Sequence, residues 1–121
     1  MPQKRRSKYG ATPTTVDGIT FHSAKEARRY GELKLLEYAG EIRGLRLQPE
    51  FTLCPWKADH SDIRVIGKYV GDFAYEERMG EDGSSAEWTL RVEDVKGFKT
   101  PLYRWKQKHF EVQYGITIRE T

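Results

Sequence analysis

Sulfur chemistry is nearly absent from this chain of 121 residues, which has one cysteine, Cys54, and two methionines. A lone cysteine closes no internal disulfide, which fits a reducing cytoplasm. Beside Pro55 it reads as a small apolar residue and not as a nucleophile. Histidine is equally sparse, with only His22, His60 and His109. None has zinc-like spacing, so Asp59 and His60 make no metal site. No apolar run approaches the roughly 20 residues of a membrane helix, and no signal peptide is evident. The expectation is a cytoplasmic protein without a membrane partner. No internal repeat and no second domain are visible. The length suits one domain with a modest core, over 9–121, behind a flexible basic arm at 1–8. Hydrophobic residues make up 37% and charged ones 32%, with 21 Lys and Arg against 18 acids, for a net charge of +3. That balance permits a nucleic-acid partner without demanding one.

Turn and cap signals divide the rest. Asp17-Gly18 predicts a small hairpin over 15–21. Ser23 opens a helix to Ala39, stopped by Gly40. Its apolar stripe is read as Ala24, Ala27, Gly31, Leu35 and Tyr38, widened by Leu33 and Leu36. Ser23 and Glu26 form a capping box, which explains a glutamate there without any function. A strand follows from Ile42 to Leu53, with Pro49 marking an edge or bulge. Gln48 and Glu50 share a face there. After a loop over 55–62, Lys68 to Tyr75 and Trp88 to Lys96 read as strands. Thr100-Pro101 starts a second helix ending at Gly115. Leu102, Trp105, His109 and Val112 are read as one face, adjoined by Tyr103, Phe110 and Tyr114. Its Arg104, Lys106 and Lys108, with Lys99, interleave with aromatics as a polyanion contact would require. Ile116 to Arg119 is read as a last strand.

The chemistry concentrates in two of these strands. Alternation puts Leu90, Val92, Asp94 and Lys96 on one face of the later strand, and Arg91, Glu93 and Val95 on the other. Glu93 therefore lies outside the expected site. An aspartate and a lysine finish an otherwise apolar row, and burying such groups requires a partner. Upstream, Asp72 shares a face with Val70 and Ala74. A hairpin folded about Asp82-Gly83 sets Asp72 opposite Asp94, with Cβ atoms roughly 4.5–5.5 Å apart. Two carboxylates so close either share a proton or hold a divalent cation such as Mg²⁺, which prefers oxygen ligands. A slipped register would instead part them. Lys96 either pairs with Asp94 or serves a reaction at that site.

Asp72 followed by Asp94-Val95-Lys96 resembles the D…(D/E)-x-K signature of the PD-(D/E)XK nuclease superfamily. Phe21-x-Ser23-x-x-Glu26-Ala27-x-x-Tyr30, Leu45-x-Leu47-Gln48-Pro49, Tyr69-x-x-Asp72-Phe73-x-Tyr75, Glu93-Asp94-Val95-Lys96-Gly97 and Lys99-Thr100-Pro101 are similar, in that order, to a small phage- and prophage-associated family of that superfamily. The resemblance runs from about Tyr9 to Glu120. It implies an α/β fold with a restriction-endonuclease-like α-β-β-β-α-β core, a mixed sheet flanked by two helices. It also implies Mg²⁺- or Mn²⁺-dependent phosphodiester hydrolysis, with DNA as partner and no small-molecule cofactor. Asp72, Asp94, the Val95 carbonyl and Glu26 would hold the metal, and Lys96 would orient or deprotonate the attacking water. Lys99, Arg104, Lys106 and Lys108 would meet phosphates. Small phage members suggest branched, Holliday-junction-like DNA, a homodimer and a bacterial host cell. Two other classes stay open: a nucleic-acid-binding or packaging-associated module that keeps the fold without catalysis, and a structural protein whose acid pair shares a proton.

Overall fold

The computed structural model describes residues 12–55, 64–80, 87–96 and 99–121. The basic arm at 1–8, the Asp59-His60 pair, the Asp82-Gly83 turn and Gly97 lie outside these residues. The described residues form a mixed α/β arrangement with two helices and several sheets. Its first hairpin pairs β1 (Thr14–Val16) with β2 (Ile19–Phe21), Val16 standing opposite Ile19. Asp17 and Gly18 both take positive φ, 53° and 75°, as a two-residue turn of this kind demands.

Helix α1 (Ala24–Tyr38) begins where Ser23 Oγ accepts the Glu26 amide at 3.1 Å. The main sheet runs β3 (Ile42–Leu47), β6 (Phe73–Met79), β7 (Glu87–Asp94), β8 (Arg119–Glu120). Its first three strands are antiparallel, while β8 lies parallel to β7. A two-stranded sheet pairs β4 (Glu50–Leu53) with β5 (Gly67–Val70). Helix α2 (Pro101–Tyr114) is capped by Thr100 and ends at Gly115 in the left-handed region. Among the described residues no helix is long and apolar enough to cross a membrane.

Two buried clusters lie on the two sides of the main sheet. On the α1 side Phe21, Ala27, Tyr30 and Leu33 meet Ile42, Phe73 and Tyr75. On the other, Tyr103, Phe110 and Ile118 meet Leu53, Tyr69, Ala74 and Val92. Both helices present faces different from those expected. In α1, Leu35 and Tyr38 are 72% and 95% exposed, and the buried residues are Glu26, Ala27, Tyr30 and Leu33. In α2, Leu102, Trp105 and Val112 are exposed, while Tyr103 and Phe110 are buried. Ring packing decides the second case: Phe110 meets Phe51, Tyr69 and Tyr114 at centroid distances of 4.8 to 5.0 Å. Those contacts bury more surface than a Leu–Val stripe would offer.

The two long strands expected over 42–53 and 68–75 each break in two. Gln48, at φ 49°, and buried Pro49 separate β3 from β4, and Gly71-Asp72 separates β5 from β6. The breaks are in step, for Gln48 N donates to the Asp72 carbonyl and Gly71 N to that of Pro49, both at 3.0 Å. The pair of strands thus creases together and passes from one sheet to the other. Alternation does not survive the crease. Val70 turns outward, 42% exposed, and Tyr69 takes its expected place beside Ala74 in the core.

Candidate active site

Asp72 occupies this crease. Gly71 just before it fits closely: a Cβ there would come within 3.2 Å of Val92 Cγ1 and 3.4 Å of the Glu93 carbonyl. The missing side chain lets the crease lie flat on β7, where Asp72 N donates to the Glu93 carbonyl at 3.0 Å. Phe73 stands opposite Glu93, so the register sets Asp72 opposite Asp94, the last residue of β7. The hairpin thus has the expected register and not the slipped alternative. On its far side Asp94 pairs with Glu120 of β8.

The two carboxyl groups lie close enough for the Asp94 charge to act on Asp72. Asp72 Oδ2 accepts the Val95 amide at 2.7 Å. Asp94, 2% exposed, accepts Tyr69 Oη on Oδ2 at 2.6 Å and meets Lys96 Nζ on Oδ1 at 2.7 Å. Lys96 Nζ also sits 3.9 Å from the centroid of the Tyr103 ring, a cation–π contact. Burial pushes the Asp72 carboxyl up to about 7, helped by the charges of Asp94 and Glu26 and opposed by the Val95 amide. Glu26 is also raised, first by burial, with the Asp94 charge adding and His22 and Lys96 opposing. Burial likewise raises Tyr69 and Tyr103. Glu26, Asp72, Asp94 and Lys96 therefore form one electrostatic cluster.

Glu26 is 5% exposed, and the His22 main chain, one residue behind the Ser23 amide that a capping box would use, partly offsets its burial. It joins the cluster through charge and not as a third close ligand. Among the described residues no group of three or more His, Cys, Asp or Glu is arranged to hold an ion. The oxygen donors at hand are Asp72, Asp94 and the Val95 main chain, a set that suits a cation retaining several waters. Tyr103 Oη, buried and without a hydrogen-bond partner, adds an unused polar atom beside Lys96.

The basic residues divide. Lys99 is tied to Glu120 at 2.6 Å, whereas Arg104, Lys106 and Lys108 on α2 have no ion pair among the described residues. Gln48 and Glu50 are exposed, and Glu50 pairs with Lys68 at 3.3 Å, away from the carboxylates.

Sequence reading missed the site's supporting residues. Tyr69 and Tyr103 hold Asp94 and Lys96, and their aromatic character alone marks them only as core. On the opposite face Glu93 is fully buried. It takes both Arg29 Nε and an Arg29 terminal nitrogen at 2.7 Å, and Tyr75 Oη as well. Arg119 donates to the same tyrosine oxygen at 3.2 Å. This fork–fork pair anchors α1, and with it Glu26, to the strand that carries Asp94. Alternation did place Glu93 on the face opposite Asp94, but nothing in the spacing identifies Arg29 as its partner.

A family model described as a protein of unknown function (DUF1064) matches residues 6–120, and the chain belongs to that family. No curated protein and no solved structure matches it.

Proposed function

We propose that this chain is a divalent-metal-dependent DNA endonuclease on the PD-(D/E)XK plan. The observation that carries the reading is the approach of Asp72, in the crease just before β6, to Asp94 at the end of β7, with Lys96 bound to the second of them. A pure binder of polyanions gains nothing from two buried carboxylates facing phosphate. The order of elements in the main sheet supports the same reading: a helix, three antiparallel strands, a helix and a strand parallel to its neighbour. That is the α-β-β-β-α-β order that the resemblance implies for a restriction-endonuclease-like core.

Asp72, Asp94 and the Val95 carbonyl would hold Mg²⁺ or Mn²⁺, with Glu26 adding negative charge from α1. The bound ion would supply polarisation of the scissile phosphate and a more acidic water. Asp72 and Asp94 keep that chemistry in a fixed place, because the Val95 amide and Tyr69 Oη orient them. The Lys96 ammonium, held beside Asp94, would orient the attacking water and offset charge on the phosphate oxygens. In the hydrolysis a P–O bond forms to the water oxygen as the bond to the departing sugar oxygen breaks, and the proton lost by the water is taken up by solvent, which returns one to the departing oxygen. Arg104, Lys106, Lys108 and Lys99 would carry the flanking phosphates. In its finer form the substrate is branched DNA, met by a homodimer in the cytoplasm of a bacterial host.

A second reading, a nucleic-acid-binding or packaging-associated module without catalysis, is favoured by the way the cluster closes on itself. Lys96 satisfies Asp94, and the Val95 amide satisfies Asp72. One experiment separates the two. The chain is titrated with Mg²⁺ and Mn²⁺ while its thermal unfolding is followed, then incubated with linear, nicked and branched DNAs in Mn²⁺. Stabilisation by the ions together with cleavage of any of these DNAs supports the nuclease. DNA binding with neither effect leaves the binding module.

A further inference from the structure

The sheet face that carries Asp94 continues well beyond the carboxylates. Residues opposite one another in neighbouring strands point to the same side. Arg46 stands opposite Ala74 and Val92, Arg43 opposite Glu76 and Leu90, and Arg78 opposite Trp88. All therefore share the face of Asp94. Helix α2 packs on β4 and β5, away from this half of the main sheet. A depression of about 600 Å³ opens there, lined by Gly44, Arg46, Glu76, Trp88 and Leu90. Trp88 is half-buried, with the Arg43 guanidinium 4.2 Å and that of Arg78 5.9 Å from its ring centroid. Glu76 neutralises Arg43 only in part, in a half-exposed pair at 3.2 Å. Arg46 and Arg78 have no ion pair among the described residues.

We propose that this face is a second nucleic-acid contact, which takes an unpaired stretch of DNA strand leading to the carboxylates. Phosphates would lie against Arg46 and Arg78, and a base would stack on the Trp88–Arg43 pair. A brace for the hairpin needs one arginine over the tryptophan. Three on one face, in line with Asp94, give the charge complementarity that a single strand seeks. Trp88 lies six positions from Asp94 on β7, or roughly 20 Å at strand spacing. That is about six stacked nucleotides at 3.4 Å each. The proposal rests on the nuclease reading for its orientation, since it makes the substrate a duplex with an unpaired arm.

The test is DNA binding by the full chain in EDTA, so that it does not depend on cleavage. Fluorescence anisotropy compares a blunt duplex with the same duplex carrying a single-stranded tail longer than about six nucleotides. The tailed DNA binds more tightly to the wild type. Trp88→Ala removes that advantage, weakening tailed binding about 5- to 150-fold, the range for loss of one base stack, and leaves blunt binding unchanged. Trp88→Phe keeps most of it and guards against a folding defect in the alanine variant. Arg46→Gln with Arg78→Gln lowers the log–log salt slope on tailed DNA by about 0.7 for each phosphate lost. Equal affinity for tailed and blunt DNA, or variants that lose both equally, overturns the proposal. Tail-dependent binding without cleavage of any DNA in Mn²⁺ keeps this face and removes the nuclease. Cleavage without tail dependence does the reverse.

Discussion

Asp72→Asn separates the two costs that meet in the crease. The folded protein holds the Asp72 proton up to about 7, whereas an ordinary aspartate releases it near 3.8. Between those values the folded state binds more protons than the unfolded chain, so wild-type stability falls as pH rises through that window. Below it the penalty is absent, and above it the penalty is complete. A displacement of that size corresponds to roughly 4 kcal/mol against the ionised form, and screening by solvent at this partly exposed carboxyl leaves only part of it. Asparagine keeps an oxygen for the Val95 amide and adds an N–H for Asp94. In metal-free buffer at pH 8.5 the variant should therefore exceed wild type by about 2–4 kcal/mol. For a domain of this length that raises Tm by ~8–16 °C. At pH 4.5 most of that difference should be gone, with roughly 1 kcal/mol remaining. Adding Mg²⁺ at pH 8.5 should close most of that gap: an ion at a hundredfold excess over its Kd stabilises wild type by about 2.7 kcal/mol, and the variant gains little. Urea or thermal unfolding at the two pH values, with and without Mg²⁺, reads all of this. A gain that is equal at both pH values, or a variant less stable at pH 8.5, would refute the reasoning.

Two further substitutions test the remaining cluster residues. Lys96→Met should cut single-turnover cleavage in Mn²⁺ by roughly 10²-fold or more while leaving DNA affinity in Ca²⁺ nearly unchanged; lost affinity with a retained rate would make Lys96 a binding residue. Glu26→Gln keeps an acceptor for the His22 main chain but removes the charge that reaches Asp72, so near-wild-type melting with strongly reduced cleavage is expected, and full activity would leave Glu26 only as part of the helix start.

What was legible in the sequence depended on signals that act over a few residues. The Asp17-Gly18 turn, the Ser23 and Thr100 caps and the Gly115 stop are local backbone chemistry, and each stands where it was expected. The opposition of Asp72 and Asp94 was legible for a related reason: strand pairing conserves register over its length once the hairpin centre is known. The helix faces were not, because more than one stripe in each helix is apolar enough to be buried. In α2 the choice fell to Tyr103 and Phe110 through rings contributed by Phe51, 59 positions before Phe110, and Tyr69, 34 and 41 positions before the two. In α1 it fell to a charged residue. Arg29 turns inward because the Glu93 side chain is fully buried, and removing one partner of such a pair costs about 3–5 kcal/mol. That pair outweighs the exposure of Leu35 and Tyr38, and it fixes the rotation of α1 that brings Glu26 toward Asp94. The long-range ion pair on one face of β7 thus decides which carboxylate approaches the other face. A hydrophobicity pattern, which contains no information about Arg29 finding Glu93 across 64 positions, has no means of stating it.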